Sequence, residues 1–184
     1  MKPTNITPII EKIIAVVENH KLDLGAYKRF PEDGFPNPYG CADAANILYT
    51  VGRFPKNREE REAFVRVLRG MQDEKSGLFC ENPSDTTKFV HDPIHTTAHC
   101  MAALELFDAM PLVPAKELEQ YLSREKMTEF FEVLDWRRIP GGPAHRGAGL
   151  YAALNLGGSD CGEFNKNYFE WLWEHSDPET GFFW

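Results

Sequence analysis

Three stretches of this chain are small and apolar almost all the way round at helical spacing. Ala42, Ala44, Ala45, Ile47 and Leu48 follow Cys41; Ala98, Met101, Ala102, Leu104 and Leu106 follow His95; Ala148, Leu150, Ala152, Ala153 and Leu154 follow His145. A helix with no polar face has to be surrounded by protein. Each stretch alternates with a two-faced one, in which Phe64, Val67, Leu68 and Met71, then Met127, Phe130, Phe131 and Leu134, then Phe164, Tyr168, Trp171 and Leu172 form one apolar stripe. The copies superimpose: Tyr39, His95 and His145 open the buried helices, and Leu48, Leu104 and Leu154 fall at the same place in them. Phe64, Val67, Leu68 and Met71 match Tyr168, Trp171, Leu172 and His175, and the turn from Asp73 to Phe79 matches that from Asp177 to Phe183. A helical pair that cannot bury its own apolar face needs a neighbouring pair, so the repeat predicts an all-α array of antiparallel hairpins. One helix of each pair is buried all round and its partner is not, which predicts an inner ring, or part of one, backed by an outer ring. The expected organisation is one domain, with an N-terminal helix over 7–19 and repeats over about 39–81, 95–142 and 145–184.

The flanking signals agree with helices and set their limits. Thr7-Pro8 reads as a cap followed by proline at the first helical position, and Ile9, Ile10, Ile13, Ile14 and Val17 make one stripe. Asn57 reads as a cap for the helix carrying Phe64, and Thr96 or Thr97 as a cap for a helix starting near His95. Residues 20–40 interleave glycine and proline with Tyr27, Phe30, Phe35 and Tyr39, too broken for a helix and too aromatic for a solvated linker, so an ordered loop packed over the helix ends is expected.

Composition narrows the function classes. With 28 acidic and 20 basic residues the net charge is -8, and no Lys/Arg run offsets it, which argues against a phosphate backbone as partner. No apolar run approaches the roughly 20 residues of a membrane span, and the first residues lack the pattern of a signal peptide. Cys41, Cys80, Cys100 and Cys161 are widely spaced without a Cys-x-x-Cys pair, so reduced thiols and a cytoplasmic location are expected.

If the inner helices all point the same way, their N-terminal ends meet at one mouth. Tyr39, Cys41, Asp43, Asp92, His95, His99, His145 and Arg146 then surround one concave site suited to a small molecule. His95 and His99 share a helix face as two metal ligands would, and Cys41, Asp92 and His145 could complete a zinc site with one open position. Without a metal, Asp43 and Asp92 are the acid/base pair for a sugar, with Phe35, Tyr39, Trp136 and Trp184 as stacking platforms. The plainer alternative makes the histidines and aspartates helix caps in a polar cavity. No Ser-His-Asp signature, phosphate-cradling glycine loop or dinucleotide fingerprint is visible.

The inner helix, the outer helix and the Gly-Leu-Phe or Gly-Phe-Phe turn together resemble the α/α-toroid proteins, above all the terpenoid-cyclase and protein-prenyltransferase group. Gly141-Gly142-Pro143-Ala144-His145-Arg146-Gly147 resembles a glycine- and histidine-rich motif of prenyltransferase β-subunits. The segments Asp92-Pro93-Ile94-His95-Thr96 and Gly40-Cys41-Ala42 resemble those that carry the family's zinc-binding His and Cys. The order of the segments differs from the family's, and Tyr39 stands where its Asp ligand would be. The residues and the resemblance together give a substrate cavity at the inner-helix mouth, with Asp43, Asp92, His95 and His145 as catalytic candidates, Phe35, Tyr39, His99, Trp136 and Arg146 as binding candidates, and Cys41, His95 and His145 as the candidates for the family's zinc. They also imply a lipid-like or other small ligand, with a glycan-processing enzyme and a non-catalytic interaction module as alternatives. Six hairpins would need roughly 300 residues, so a second chain or further sequence is expected to complete a ring, unless the array stays an open crescent. The aromatic Phe182-Phe183-Trp184 is expected to need a neighbour to cover it.

Overall fold

The buried-helix pattern is realised as helices stacked side by side, in a computed structural model that describes residues 5–81, 92–136 and 144–181. The elements are α1 (Thr7–Asn19), β1 (Lys21–Asp23), β2 (Ala26–Tyr27), α2 (Pro38–Thr50), α3 (Arg58–Arg69), α4 (Pro93–Glu105), a 3-10 helix (Lys116–Leu122), α5 (Arg124–Glu132), α6 (Ala144–Leu156) and α7 (Gly162–Glu174). Among the described residues the chain is therefore all-α apart from one short antiparallel ribbon. None of the described helices is long and apolar enough to cross a membrane.

Local chemistry moves several boundaries from where sequence placed them. Thr7 is the first helical residue of α1 and not its cap; the Asn5 side chain accepts from Thr7 N at 3.0 Å. α4 begins before His95 because Pro93 presets the first helical turn, and Asp92 caps it by accepting from Ile94 N and His95 N at 3.0 and 3.2 Å. The Thr96 hydroxyl turns back to the Asp92 carbonyl instead. Asn57 caps α3 as expected, accepting from Glu60 N at 2.8 Å. Within 20–40, the β1–β2 hairpin replaces part of the expected loop. Its turn depends on Gly25, with φ of +71° and a backbone approach to α3 so close that a Cβ would lie 2.4 Å from Phe64 N.

α4 lies between α2 and α6 and packs on both. Tyr39 of α2 meets His95 and Thr96 of α4, and one turn on Asp43 meets His99, so α2 and α4 run parallel and in register. Asp92 and His95 meet Arg146 and His145 at the start of α6, and further along Gly149 approaches Ile94 and His95 while Gly157 approaches Met101, so α6 runs parallel to α4. Small residues set this spacing: a Cβ on Gly149 would already press on Ile94 Cγ2 at 3.3 Å. The repeat-equivalent Leu48, Leu104 and Leu154 are all buried.

α3 covers α2 and α4, while α5 packs on α7 and on the 3-10 helix. Their apolar stripes build two aromatic clusters. Phe64 stacks on Tyr27 and Phe107, and Phe131 meets Trp136, Tyr168 and Trp171 edge-on.

The repeated turn is also repeated in its bonding. Asp73 accepts from Ser76 N and Ser76 Oγ, Gly77 N closes on the Asp73 carbonyl at 2.7 Å, and Gly77 has φ of +77°. Asp177 accepts from Thr180 N and Thr180 Oγ1, Gly181 N closes on the Asp177 carbonyl at 2.7 Å, and Gly181 has φ of +72°. The surroundings differ. Residues 112–117 of the second unit strap the first turn: Glu117 N donates to Ser76 O, and buried Gln72 donates to Gly77 O and Val113 O while accepting from Leu112 N.

Candidate active site

Parallel register brings the first turns of α2, α4 and α6 together, and with them most of the residues singled out from sequence. Tyr39 Oη lies 2.8 Å from His95 Nδ1 and 3.1 Å from Thr96 Oγ1. The His95 ring meets His145 edge-on at 4.9 Å between centroids and is stacked 6.0 Å from His99. His99 Nε2 lies 2.8 Å from Asp43 Oδ1, and Arg146 Nε lies 2.7 Å from Asp92 Oδ2. Tyr39, His95 and His145 occupy the same position in three successive units, so the mouth is built by the repeat itself.

Two side chains that composition did not single out join this group. Arg29, from the loop after the hairpin, lays its guanidinium over the Tyr39 ring at 5.1 Å and reaches Glu81 at 3.7 Å. Glu81 in turn accepts from the Asn37 amide, and Asn37 caps α2 through Tyr39 N. The cationic face on one side and burial of the ring fix Tyr39, and burial raises its phenol above the ordinary value.

The hydrogen bonds define how protons can sit. When the Thr96 hydroxyl donates to the Asp92 carbonyl, Tyr39 donates to Thr96 and His95 presents Nδ1–H to the phenol oxygen. When Thr96 donates to Tyr39, the phenol donates to His95 Nδ1 and the imidazole proton moves to Nε2. Tyr39, Thr96 and His95 thus form a relay with two proton arrangements. Donation from His99 Nε2–H to Asp43 places the His99 lone pair on Nδ1, the arrangement in which a carboxylate orients an imidazole as a base.

Other expected members take different places. Cys41 is fully buried and faces the hairpin: Tyr27 N donates to Cys41 Sγ at 3.3 Å, and the thiol returns a bond to Tyr27 O at 3.4 Å. Burial pushes this thiol up to about 11, the reverse of what a metal-binding thiolate needs. Among the described residues no three His, Cys, Asp or Glu side chains stand together as metal ligands, so Cys41, His95 and His145 do not form the expected zinc set. Asp92 is engaged as the α4 cap and as the partner of Arg146, which separates its role from that of Asp43. Trp136 packs between Phe131 and Trp171, its Nε1–H donating to Phe131 O, and its ring fills the space where a Cβ on Gly147 would come within 2.5 Å. It is a support beneath the start of α6, not an open platform. Phe35 is exposed in the loop before α2. His91, Gly141 to Pro143 and Trp184 lie outside the described residues.

No family model, curated protein or solved structure matches this chain.

Proposed function

We propose that this chain is a three-unit arc of an α/α-toroid-like array that binds a small hydroxylated ligand, such as a sugar, at the mouth shared by α2, α4 and α6. In this reading His99, oriented by Asp43, acts as general base, and the Tyr39–Thr96–His95 relay supplies or accepts a second proton. One observation carries the proposal: repeat-equivalent Tyr39, His95 and His145 converge in ring contact at the helix starts. A convergence of polar, planar groups suits a ligand with both hydroxyls and a ring face. Arg29, Glu81 and Arg146 offer donors and acceptors around it, whereas an isoprenoid chain calls for aliphatic walls. The likeness to terpenoid cyclases and prenyltransferases is thereby kept for architecture alone.

The test is a titration of protein carrying 15N-labelled histidines with neutral and uronic oligosaccharides and, in parallel, geranylgeranyl diphosphate. Saturable shifts of the His95, His99 and His145 ring signals with a saccharide, abolished by Tyr39→Phe plus His95→Ala, are expected. Silence toward every saccharide, or a response to the isoprenoid alone, would overturn the reading.

A further inference from the structure

A second surface stands apart from the mouth. Along the outer side of α3, the segment from Phe107 to Leu112 and the helix itself enclose a groove of about 760 Å³. Val65, Phe107 and Leu112 make its floor, and Lys56, Arg58, Arg61, Arg66 and Arg69 its rim. Among the described residues that line it the one acid is Glu62, which is paired with Arg58 at 2.5 Å. Arg61 is held by Asp108, and Arg69 by the Met110 carbonyl. On a chain with net charge -8, a greasy trough edged by cations is an exception that calls for an anionic, apolar occupant.

The same chain displays such an occupant. Trp173 on α7 is 82 % exposed and Phe169, one turn before it, 56 % exposed. Glu163, Glu170 and Glu174 lie to one side of this aromatic pair on a helix of 13 residues, Glu170 being also held by Arg124 at 3.1 Å, and Lys166 stands on the face of the aromatics themselves. The buried side of α7 is taken by Phe164, Tyr168 and Trp171; Phe169 meets Tyr151 of α6 edge-on at 5.5 Å yet keeps its outer side open, and Trp173 is the most exposed of the large apolar side chains described. A large indole with acidic neighbours is the kind of anchor that fills a pocket rimmed by arginine.

We propose that α7 of one copy docks through Trp173 and Phe169 into the α3 groove of a second copy. Groove and helix face are different surfaces of each copy, and a two-fold pairing in which each helix enters the other copy's groove satisfies both at once, an isologous contact that closes at the dimer. The inference stands independently of what the mouth binds.

Sedimentation velocity at micromolar concentration, in low and high salt, tests it with Trp173→Glu and Arg66→Glu as single variants. Both positions are exposed, so folding is expected to persist, and a far-UV spectrum and melting curve verify that it does. The expected result is a wild-type dimer that weakens with salt, each variant sedimenting as a monomer, and an equimolar mixture of the two regaining a dimer through the one intact groove and the one intact helix. A monomeric wild type overturns the proposal, as does a variant that still dimerises or a mixture that stays monomeric. Capture of a labelled acidic amphipathic peptide by a monomeric wild type would also overturn it, assigning the groove to a different protein.

Discussion

Gly77 and Gly181 form a matched pair through which the contact between adjacent units can be weighed. Both close the same aspartate turn with nearly the same positive φ, +77° and +72°. An alanine at either position meets the same left-handed backbone cost, of about 1–2 kcal/mol. It also gains the same small benefit from a stiffer unfolded chain. Space is what differs. A Cβ at 77 would lie 1.9 Å from the Pro114 carbonyl oxygen and 2.9 Å from Ala115 Cα, backbone atoms of the strap, whereas at 181 none of the described residues comes within 4 Å. Overpacking of that sort costs a further 1–3 kcal/mol or so. Gly77→Ala should therefore destabilise by roughly 2–5 kcal/mol and Gly181→Ala by about 1–2 kcal/mol. Urea titrations followed at 222 nm, with midpoints and slopes compared between the two variants, measure the difference directly. Thermal midpoints should separate by roughly 2–12 °C, given about 2–4 °C per kcal/mol for a chain of this size. Equal losses at the two sites, or a larger loss at 181, would refute the claim that residues 112–117 of the second unit clamp the first.

Two further predictions concern the core. Buried Thr97 Oγ1 accepts from Phe79 N at 2.9 Å, so Thr97→Val, which keeps the shape but leaves that amide unbonded, should cost about 1–3 kcal/mol in the same denaturation assay, with Thr97→Ser recovering part of it. Near-equal stability of the Val and Thr forms would show that the bond is not what fixes the first turn against α4. Acids weakened by burial in the native state predict alkaline sensitivity. Burial pushes the Cys41 thiol up to about 11 and the Tyr168 phenol up to about 12, so the folded chain holds protons that the unfolded chain releases at lower pH. Their stabilisation is complete below the ordinary thiol value near 9 and is lost as pH rises toward 11 and 12. The melting temperature should fall over that window, and Cys41→Ala should flatten the fall between about 9 and 11; a profile that the substitution leaves unchanged would dismiss the role of the thiol.

The stacked helices were legible because Ala-rich stretches with hardly a polar side must be largely internal, which holds best for α4, while Tyr49 on α2 and Ala148 on α6 stay exposed; the two-faced helices were legible from the spacing of Phe64, Val67, Leu68 and Met71. Aligning the units was enough to pair Tyr39 with His95 and His145, since parallel helices in register put equivalent residues side by side. The mouth residue that sequence misplaced was Cys41. It sits two positions from Tyr39, and on a helix each residue turns by about 100°, so it faces the hairpin and not the other helices. The hairpin itself, with strands of three and two residues, carries too little alternation to be read. Arg29 and Glu81 reach the site from loops, where no periodicity reports direction. The aromatic interleaving of 20–40 was the one hint that this stretch lies against the helix starts.

Three helices that point the same way also superpose their electric fields. Each peptide column is equivalent to about half a positive charge at its leading end, so the first turns of α2, α4 and α6 together add roughly one and a half charges. Asp92, bonded to the leading amides of α4, and Glu81, bonded to the residue that starts α2, act as counterweights to that field. Arg146 is the member set against it, a cation in the opening turn of α6, and its link to Asp92 offsets the repulsion. An acidic chain thereby carries a patch where an incoming negative group meets much less resistance than the overall charge suggests.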